Sequence, residues 1–396
     1  MAIKKPTQSS KPFHLDIPLT ILLISMAIIS LVAIYGAIPL TPSWVNGEGI
    51  LIRQAIWYIL GFGVLIFLLY FGIDRLFTGV KVFYWILMVL LFILVLDFVI
   101  DIPFITPVNG SRAWYQIPGF GTLQPSEFMK IVLILLSANI IHEHNQFKTS
   151  MTIKDDLLLF FKIGKVVIPP LILIVMQPDT GIPIVIIISI LAMLAISQIK
   201  TFWIWFGLIS IVTVLGGLLY LFEFHPDILV SLLGAPYRLN RIYGWLQTEN
   251  YILTWGSQLY TSLLAVGSAG LTGHGAQATM ISFAEPQNDF IFAVIANNYG
   301  FIGVSFVIFI SLLFNLKILS IALKFDRAKE QYMVAGLLGM LFFQQFQNMG
   351  MIVGILPITG ITLPLISSGG SSLLSYMIPL AIIYHMSSEN KTRTQH

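Results

Sequence analysis

From end to end the chain repeats apolar stretches, most of them long enough to cross the roughly 30 Å hydrocarbon layer of a bilayer. They fall at residues 17–40, 51–72, 79–100, 126–142, 163–177, 181–198, 202–224, 289–323, 330–353 and 363–387. In lipid a backbone must satisfy its own polar groups, so such runs predict helices. The expected fold is all-α: a polytopic integral membrane protein with about ten transmembrane helices. Only 10% of the 396 residues are charged, against about 25% in an ordinary soluble domain. That is too few to cover a water-facing surface. No stretch remains for a soluble domain, so residues 1–396 read as one integral unit.

An even number of spans puts both termini on one side. With the termini inside, 16 of the 21 Lys and Arg residues lie on inner segments. Arg53, Arg112, Lys130, Arg238 and Arg241 are left outside. This positive-inside bias predicts cytoplasmic termini. The first span follows Lys4, Lys5 and Lys11 but exceeds a signal-peptide core, so it is expected to be retained. The eighth is long enough to tilt strongly or project beyond the bilayer.

The largest outer loop, about 225–288, joins the seventh and eighth spans. It contains two amphipathic stretches, Asp227–Leu233 and Leu259–Val266, suited to a membrane surface. Gly267, Gly270, Gly273 and Gly275 follow, without the strand or lysine of a phosphate-binding loop. There is no cysteine, which excludes disulfides, thiolate metal sites and thiol nucleophiles. The small net charge gives no reason to expect nucleic acid.

Ionisable groups at membrane depth are costly and point to function. Asp289 follows Pro286 at the expected start of the eighth helix, and Glu285 lies just before. Proline and a carboxylate both suit a first helical turn, so the pair reads either as a helix start or as a site. Glu127 and Lys130, three apart at the start of the fourth helix, can form an ion pair on one face, with Ser126 as a cap. Asp179 is either a turn residue or a wall of an outer cavity. Arg238 and Arg241 can present two guanidinium forks to a phosphate, or be solvated loop charges. Ser367 to Ser372 begin the last span, where small residues permit close helix approach. With Arg112, all these charges lie on the expected outer side.

In order, these segments resemble the SEDS family of shape, elongation, division and sporulation proteins. The matching stretches are Asn109 to Trp114, Gln124 to Lys130, Gln177 to Gly181, Ala284 to Ile295, and Gln347 through Pro357 and Gly360 to Ser372. The short tails and motif wording lie nearer the elongation, or RodA, branch. The resemblance implies a peptidoglycan glycosyltransferase of the bacterial cytoplasmic membrane that polymerises lipid II beside a class B penicillin-binding protein. It places the essential carboxylate on Asp289 and the conserved Glu/Lys pair on Glu127 and Lys130. Two departures stand out: Asn297 and Asn298 replace acidic residues common in the family, and Ser368 replaces a frequent tyrosine.

The implied reaction joins the 4-hydroxyl of an acceptor GlcNAc to the anomeric carbon of a donor MurNAc, with inversion and loss of undecaprenyl diphosphate. It needs a base and positive charge at the leaving group. Asp289 is the expected base; Arg112, Lys130, Arg238 and Arg241 are candidates for the diphosphate, with Glu127, Asp179 and Glu285 completing the substrate site. A divalent cation, Mg²⁺ or Mn²⁺, is expected at Asp289 and the diphosphate, with no organic cofactor. A flippase of lipid-linked precursors is the alternative. It would place polar groups near mid-membrane, whereas these charges gather at the outer face.

Overall fold

The computed structural model describes residues 13–394, apart from 106, 108–109, 119–120, 149–151, 234–235 and 280. Nearly all of it is helix. The long elements are α1 (Ile17–Ala37), α2 (Gly47–Phe71), α3 (Ile73–Leu96), α4 (Pro125–Gln146), α5 (Ile153–Met176), α6 (Gly181–Ala195) and α7 (Thr201–Phe224). After three shorter helices, α8 (Pro226–Leu233), α9 (Pro236–Leu246) and α10 (Ser257–Ser268), come α11 (Ile291–Leu323), α12 (Ala328–Ile352) and α13 (Gly370–Thr394). Each expected span falls on a helix. Helices α8 and α10 coincide with the two amphipathic stretches; α9 was not foreseen.

Several helix starts are legible in chemistry. Asp16 caps α1 by accepting the Leu19 N–H at 3.0 Å, and Asn46 caps α2 through the Gly49 N–H at 2.8 Å. Thr152 and Asp155 form a capping box on α5. Ser126 does not cap α4. That helix begins at Pro125, and the Ser126 hydroxyl is buried without a hydrogen bond among the described residues. The loop before α4 also holds an unforeseen hairpin, β1 (Tyr115–Ile117) against antiparallel β2 (Gly121–Leu123).

Among the described residues seven helices are long and apolar enough to cross a membrane: α1, α2, α3, α4, α5, α7 and α11. Helix α6 is apolar but has only 15 residues. Helices α12 and α13 are long but more polar, and like α4 they are sheltered by others. Helix α12 packs on α4, α6 and α11, and α13 on α2 and α4. Sheltered helices bury side chains such as Gln344, Gln345 and Asn348, which would be costly facing hydrocarbon. At the other extreme, Phe222 is the only buried residue of α7. That helix meets α8 and α9 through Phe222, Leu229 and Leu239.

The length of α11 has a different cause from a tilted single helix. Gly300 takes φ 61° and ψ −155°, which breaks the helix. The break frees backbone groups that must find partners, and the glycine-rich segment supplies them. The His274 and Gly275 N–H groups donate to the carbonyls of Asn297 and Asn298, at 2.8 and 3.1 Å. The Phe301 and Ile302 N–H groups donate to Gly270 and Leu271. The approach is so close that a Cβ on Gly273 would lie 2.4 Å from the Asn298 backbone. The glycine run is therefore a plug for a broken helix. Asn297 and Asn298 sit fully buried at this break, with the Asn297 amide donating to the Ala278 carbonyl at 3.2 Å.

Candidate functional site

The segment between α12 and α13, residues 353–369, is non-helical although much of it is buried. Irregular backbone at such depth needs side chains to satisfy its polar groups. Gln347 donates to the Pro357 carbonyl at 2.9 Å, Asn348 to Ile361 at 2.8 Å, and Ser30 to Ile366 at 2.7 Å. Tyr58 donates to Leu365. Gln54 accepts the Gly369 N–H at 3.2 Å and lies 3.4 Å from the Ser367 carbonyl. Polar residues inside apolar helices thus hold one fixed loop, and that loop holds Asp289.

Asp289 lies outside α11. The helix begins at Ile291 and has no side-chain cap, so neither Pro286 nor Asp289 occupies its first turn. The carbonyls that would start a helix there are directed elsewhere. Gln287 O accepts from Ser368 N at 2.9 Å, Asn288 O from Ser367 Oγ at 2.7 Å, and Asp289 O from Asn348 Nδ2 at 2.9 Å. The same bonds move the start of the last helix from 363 to Gly370.

The Asp289 side chain is partly buried against Gly360, where a Cβ would come within 3.3 Å of Oδ2. No described residue donates a hydrogen bond to its carboxylate. Burial pushes this carboxyl up to about 6; the charge of Glu285 adds to the rise, and Arg241 on α9 pulls against it. Glu285 is exposed, and its carboxylate accepts from the amides of Gln287 and Asn288, both at 3.0 Å. The Arg238 side chain lies outside the described residues.

A second cluster surrounds Asp179, at the start of α6. Its Oδ1 accepts the N–H groups of Gly181 and Ile182, at 3.1 and 3.2 Å, as a helix cap would. Its Oδ2 accepts from Gln124 at 3.0 Å, and Gln124 in turn accepts from the Trp114 indole at 3.1 Å. Burial raises this carboxyl too, to about 6 against the pull of the two N–H groups, with the Glu127 charge adding to the rise and Lys130 opposing it. One turn along α4, Lys130 and Glu127 form the expected ion pair at 2.5 Å, both side chains nearly sealed from solvent. Lys130 also donates to Tyr376 at 3.2 Å, and Tyr376 to Gln344 at 2.7 Å.

The loop links the two clusters. Ile361 follows Gly360, which abuts Asp289, and its side chain packs where a Cβ on Gly181 would stand, 3.2 Å away. Arg112 is placed differently. Its guanidinium binds buried Asp97 at 2.7 Å and lies over the Phe98 ring, so it fastens the 97–112 loop. Sequence reasoning weighed ionisable residues and so missed Gln54 and Tyr58, and gave Gln347 and Asn348, which open a matching stretch, no role of their own. The signal was there: amide and hydroxyl groups inside apolar spans. A cavity of about 400 Å³ runs along α7 between residues such as Phe202, Trp205 and Phe206, and no charged side chain lines it.

Among the described residues no three acidic or histidine side chains converge on a metal position. Mg²⁺ commonly uses one or two carboxylates and completes its shell with substrate phosphates. Asp289, whose carboxylate accepts no hydrogen bond among the described residues, meets that weaker requirement.

The cell cycle protein family that groups FtsW, RodA and SpoVE matches residues 17–392. Over 393 residues the chain is 28% identical to stage V sporulation protein E of Bacillus subtilis, covering 96% of this chain and 98% of that one. It is 32% identical over 287 residues to peptidoglycan glycosyltransferase MrdB of Escherichia coli, 72% of each chain. In three dimensions it resembles a chain of a peptidoglycan synthase complex, solved to show the structural coordination of polymerization and crosslinking. The TM-score is 0.74 at 23% identity, over 95% of this chain and 98% of that one. That likeness shows a shared fold.

Proposed function

The chain belongs to the cell cycle protein family of FtsW, RodA and SpoVE, and from that premise we propose that it is a peptidoglycan glycosyltransferase that polymerises lipid II with Asp289 as base. The observation that carries the reading is the state of the Asp289 carboxylate. It is held by its backbone to Asn348, partly buried, without a hydrogen-bond donor on its oxygens among the described residues, and raised to about 6. A carboxylate so placed is more basic than one in water, and its lone pairs are available to a substrate hydroxyl. Relatives named peptidoglycan glycosyltransferases support the reaction class.

In this mechanism Asp289 orients the 4-hydroxyl of the acceptor GlcNAc and takes its proton as the oxygen attacks the donor anomeric carbon. The anomeric bond to undecaprenyl diphosphate breaks and the centre inverts. Arg241, whose charge acts on Asp289, holds the departing diphosphate, with Arg238 one helical turn away. Lys130 and Arg112 act at a distance, since Glu127 and Asp97 engage them. Asp179 and Glu127 shape the wall beside the loop. A bound Mg²⁺ or Mn²⁺ held by Asp289 would neutralise diphosphate charge.

The enzyme reading is favoured over the flippase by the mid-helix polar groups. Asn315 and Gln345 bond to each other at 2.6 Å, and Gln344 closes the Tyr376–Lys130 chain, so these groups tie helices together. The positive-inside bias supports cytoplasmic termini and a site at the outer face of the cytoplasmic membrane. We also propose a class B penicillin-binding protein as partner, on the strength of the family resemblance.

The test is polymerisation of purified lipid II by the full chain with that partner, its transpeptidase site inactivated. Wild type should make glycan, and folded, partner-binding Asp289→Asn should make none. Equal polymer from both would return Asp289 to a structural role.

A further inference from the structure

Phe290, the residue after Asp289, helps line a cavity of about 240 Å³, whose other lining residues are Ser257, Gln258, Thr261, Ser282, Phe283 and Ala284. Its two walls come from the middle of the large loop and from its end. One is the first turn and a half of α10. Leu259, Ser262 and Ala265 bury one face of that helix, which leaves Ser257, Gln258 and Thr261 on the cavity side. The other is the strand of chain that runs into Asp289. Phe290, the next residue, is only 3% exposed, and its ring lies nearly parallel to Phe283, 6.4 Å between centroids. The cavity therefore has a buried aromatic floor and a polar rim.

That rim is unspent. Thr261 donates its hydroxyl to the Ser257 carbonyl at 2.7 Å. The hydroxyls of Ser257 and Ser282 and the amide of Gln258 make no side-chain hydrogen bond among the described residues. Convergent polar groups around an apolar floor are the composition of a small-ligand site. The rim offers neutral donors and acceptors and carries no charge. An anionic diphosphate would have no countercharge here, and a prenyl tail would strand the polar rim. The volume falls below the roughly 300–1,000 Å³ of drug-sized sites. It suits one ring without a long branch.

We propose that this cavity is the subsite for the acceptor N-acetylglucosamine ring of lipid II. The inference rests on the glycosyltransferase reading and assigns a place to one part of its substrate. Of the two sugars, GlcNAc is neutral and carries only a short N-acetyl branch; MurNAc carries the peptide and the diphosphate. A pyranose has C–H groups to lie on the Phe283 and Phe290 floor, and hydroxyls for Ser257 and Ser282. Its acetamido group pairs with the Gln258 amide, donor to acceptor in both directions. A ring seated there is one residue along the chain from the proposed base. Gln258, Ser257 and Thr261 are then positioning residues for the attacking sugar.

The experiment is steady-state polymerisation of purified lipid II by the full chain with its partner, comparing wild type, Gln258→Ala, Ser257→Trp and Asp289→Asn. Thermal unfolding is measured for each. Gln258 is exposed, so its truncation should leave the unfolding curve in place. Losing one or two neutral hydrogen bonds predicts a KM for lipid II raised about three- to tenfold in Gln258→Ala, with kcat within about twofold. Ser257→Trp fills the cavity and should cost more than tenfold in kcat/KM. Wild-type KM and kcat in both pocket variants, beside an inactive Asp289→Asn, would overturn the subsite and leave the function intact. A fall in kcat at unchanged KM in Gln258→Ala would also overturn it. If the wild type made no polymer, or Asp289→Asn made as much as wild type, the function reading would fail and the subsite with it.

Discussion

Asn348 on α12 donates through one amide nitrogen to the carbonyl of Asp289, at 2.9 Å, and to that of Ile361, at 2.8 Å. A neutral side chain thereby locks the acid to the loop that walls it. Asn348 is fully buried, so truncation strands two carbonyls that water cannot easily reach. Asn348→Ala is expected to cost about 1–3 kcal/mol in stability. It should also reduce glycan polymerisation more than that loss explains, because the Asp289 backbone is released. Thermal unfolding and polymerisation, measured on one preparation, separate the two effects. Full activity in a merely destabilised variant would show that the lock does not position Asp289.

The Asp289 carboxyl should set a pH profile. With its proton lost near pH 6 rather than 3.8, the polymerisation rate should rise with pH through about 6 and level off above it. Glu285→Gln removes a neighbouring negative charge and should move the midpoint down. Arg241→Ala removes the opposing positive charge and should move it up. Stability has the opposite sign: since folding favours the protonated form, the penalty is absent below about 3.8, grows with pH, and is complete above about 6. Asp289→Asn should therefore stabilise the protein at pH 7.5 and make little difference at pH 3.5, by thermal unfolding.

The helices were legible because apolar length is a strong signal and hydrocarbon permits few backbone solutions. The ion pair of Glu127 and Lys130 was legible from three-residue spacing. What the sequence hid was non-helical structure inside apolar runs. Residues 363–369 are apolar enough to read as helix, yet Ser367 and Ser368 bind the backbone of Asn288 and Gln287. The overall apolarity of α11 hid the break at Gly300 in the same way. Arg112 read as an outer cation for the diphosphate because its partner, Asp97, belonged to what looked like a transmembrane span. In each case the deciding partner was distant in sequence.

The Glu127–Lys130 pair predicts an asymmetry between single and double changes. Lys130→Met leaves a carboxylate buried without its cation, at a cost of about 3–5 kcal/mol. Adding Glu127→Gln removes that charge and should recover much of the loss. If the pair is structural, polymerisation should recover with the folded yield. Recovered stability with no recovered activity would instead place one of these charges at the substrate. A double-variant cycle, scored by thermal unfolding and by lipid II turnover, distinguishes the two.

The plug in α11 predicts a contrast among three glycines. Gly273 has φ 76°, and a Cβ there would sit 2.4 Å from the Asn298 carbonyl. Backbone cannot retreat as a side chain can, so Gly273→Ala should lose at least the roughly 1–3 kcal/mol of such strain. Gly300→Ala meets the same obstacle from the other side, with φ 61° and the Gly273 nitrogen 2.4 Å from its Cβ. Gly267 is different. It lies within α10, and a Cβ there meets nothing within 4 Å. Gly267→Ala should be neutral or stabilise by about 0.4–1 kcal/mol, since alanine loses less freedom on folding. Thermal unfolding of the three variants in one detergent tests the contrast. The plug also connects to the site, because the piece of α11 that it seals begins two residues after Asp289. Gly273→Ala should therefore lower polymerisation even at temperatures where the protein stays folded, whereas Gly267→Ala should not. Equal behaviour of all three glycines would mean that the break is incidental to both stability and activity.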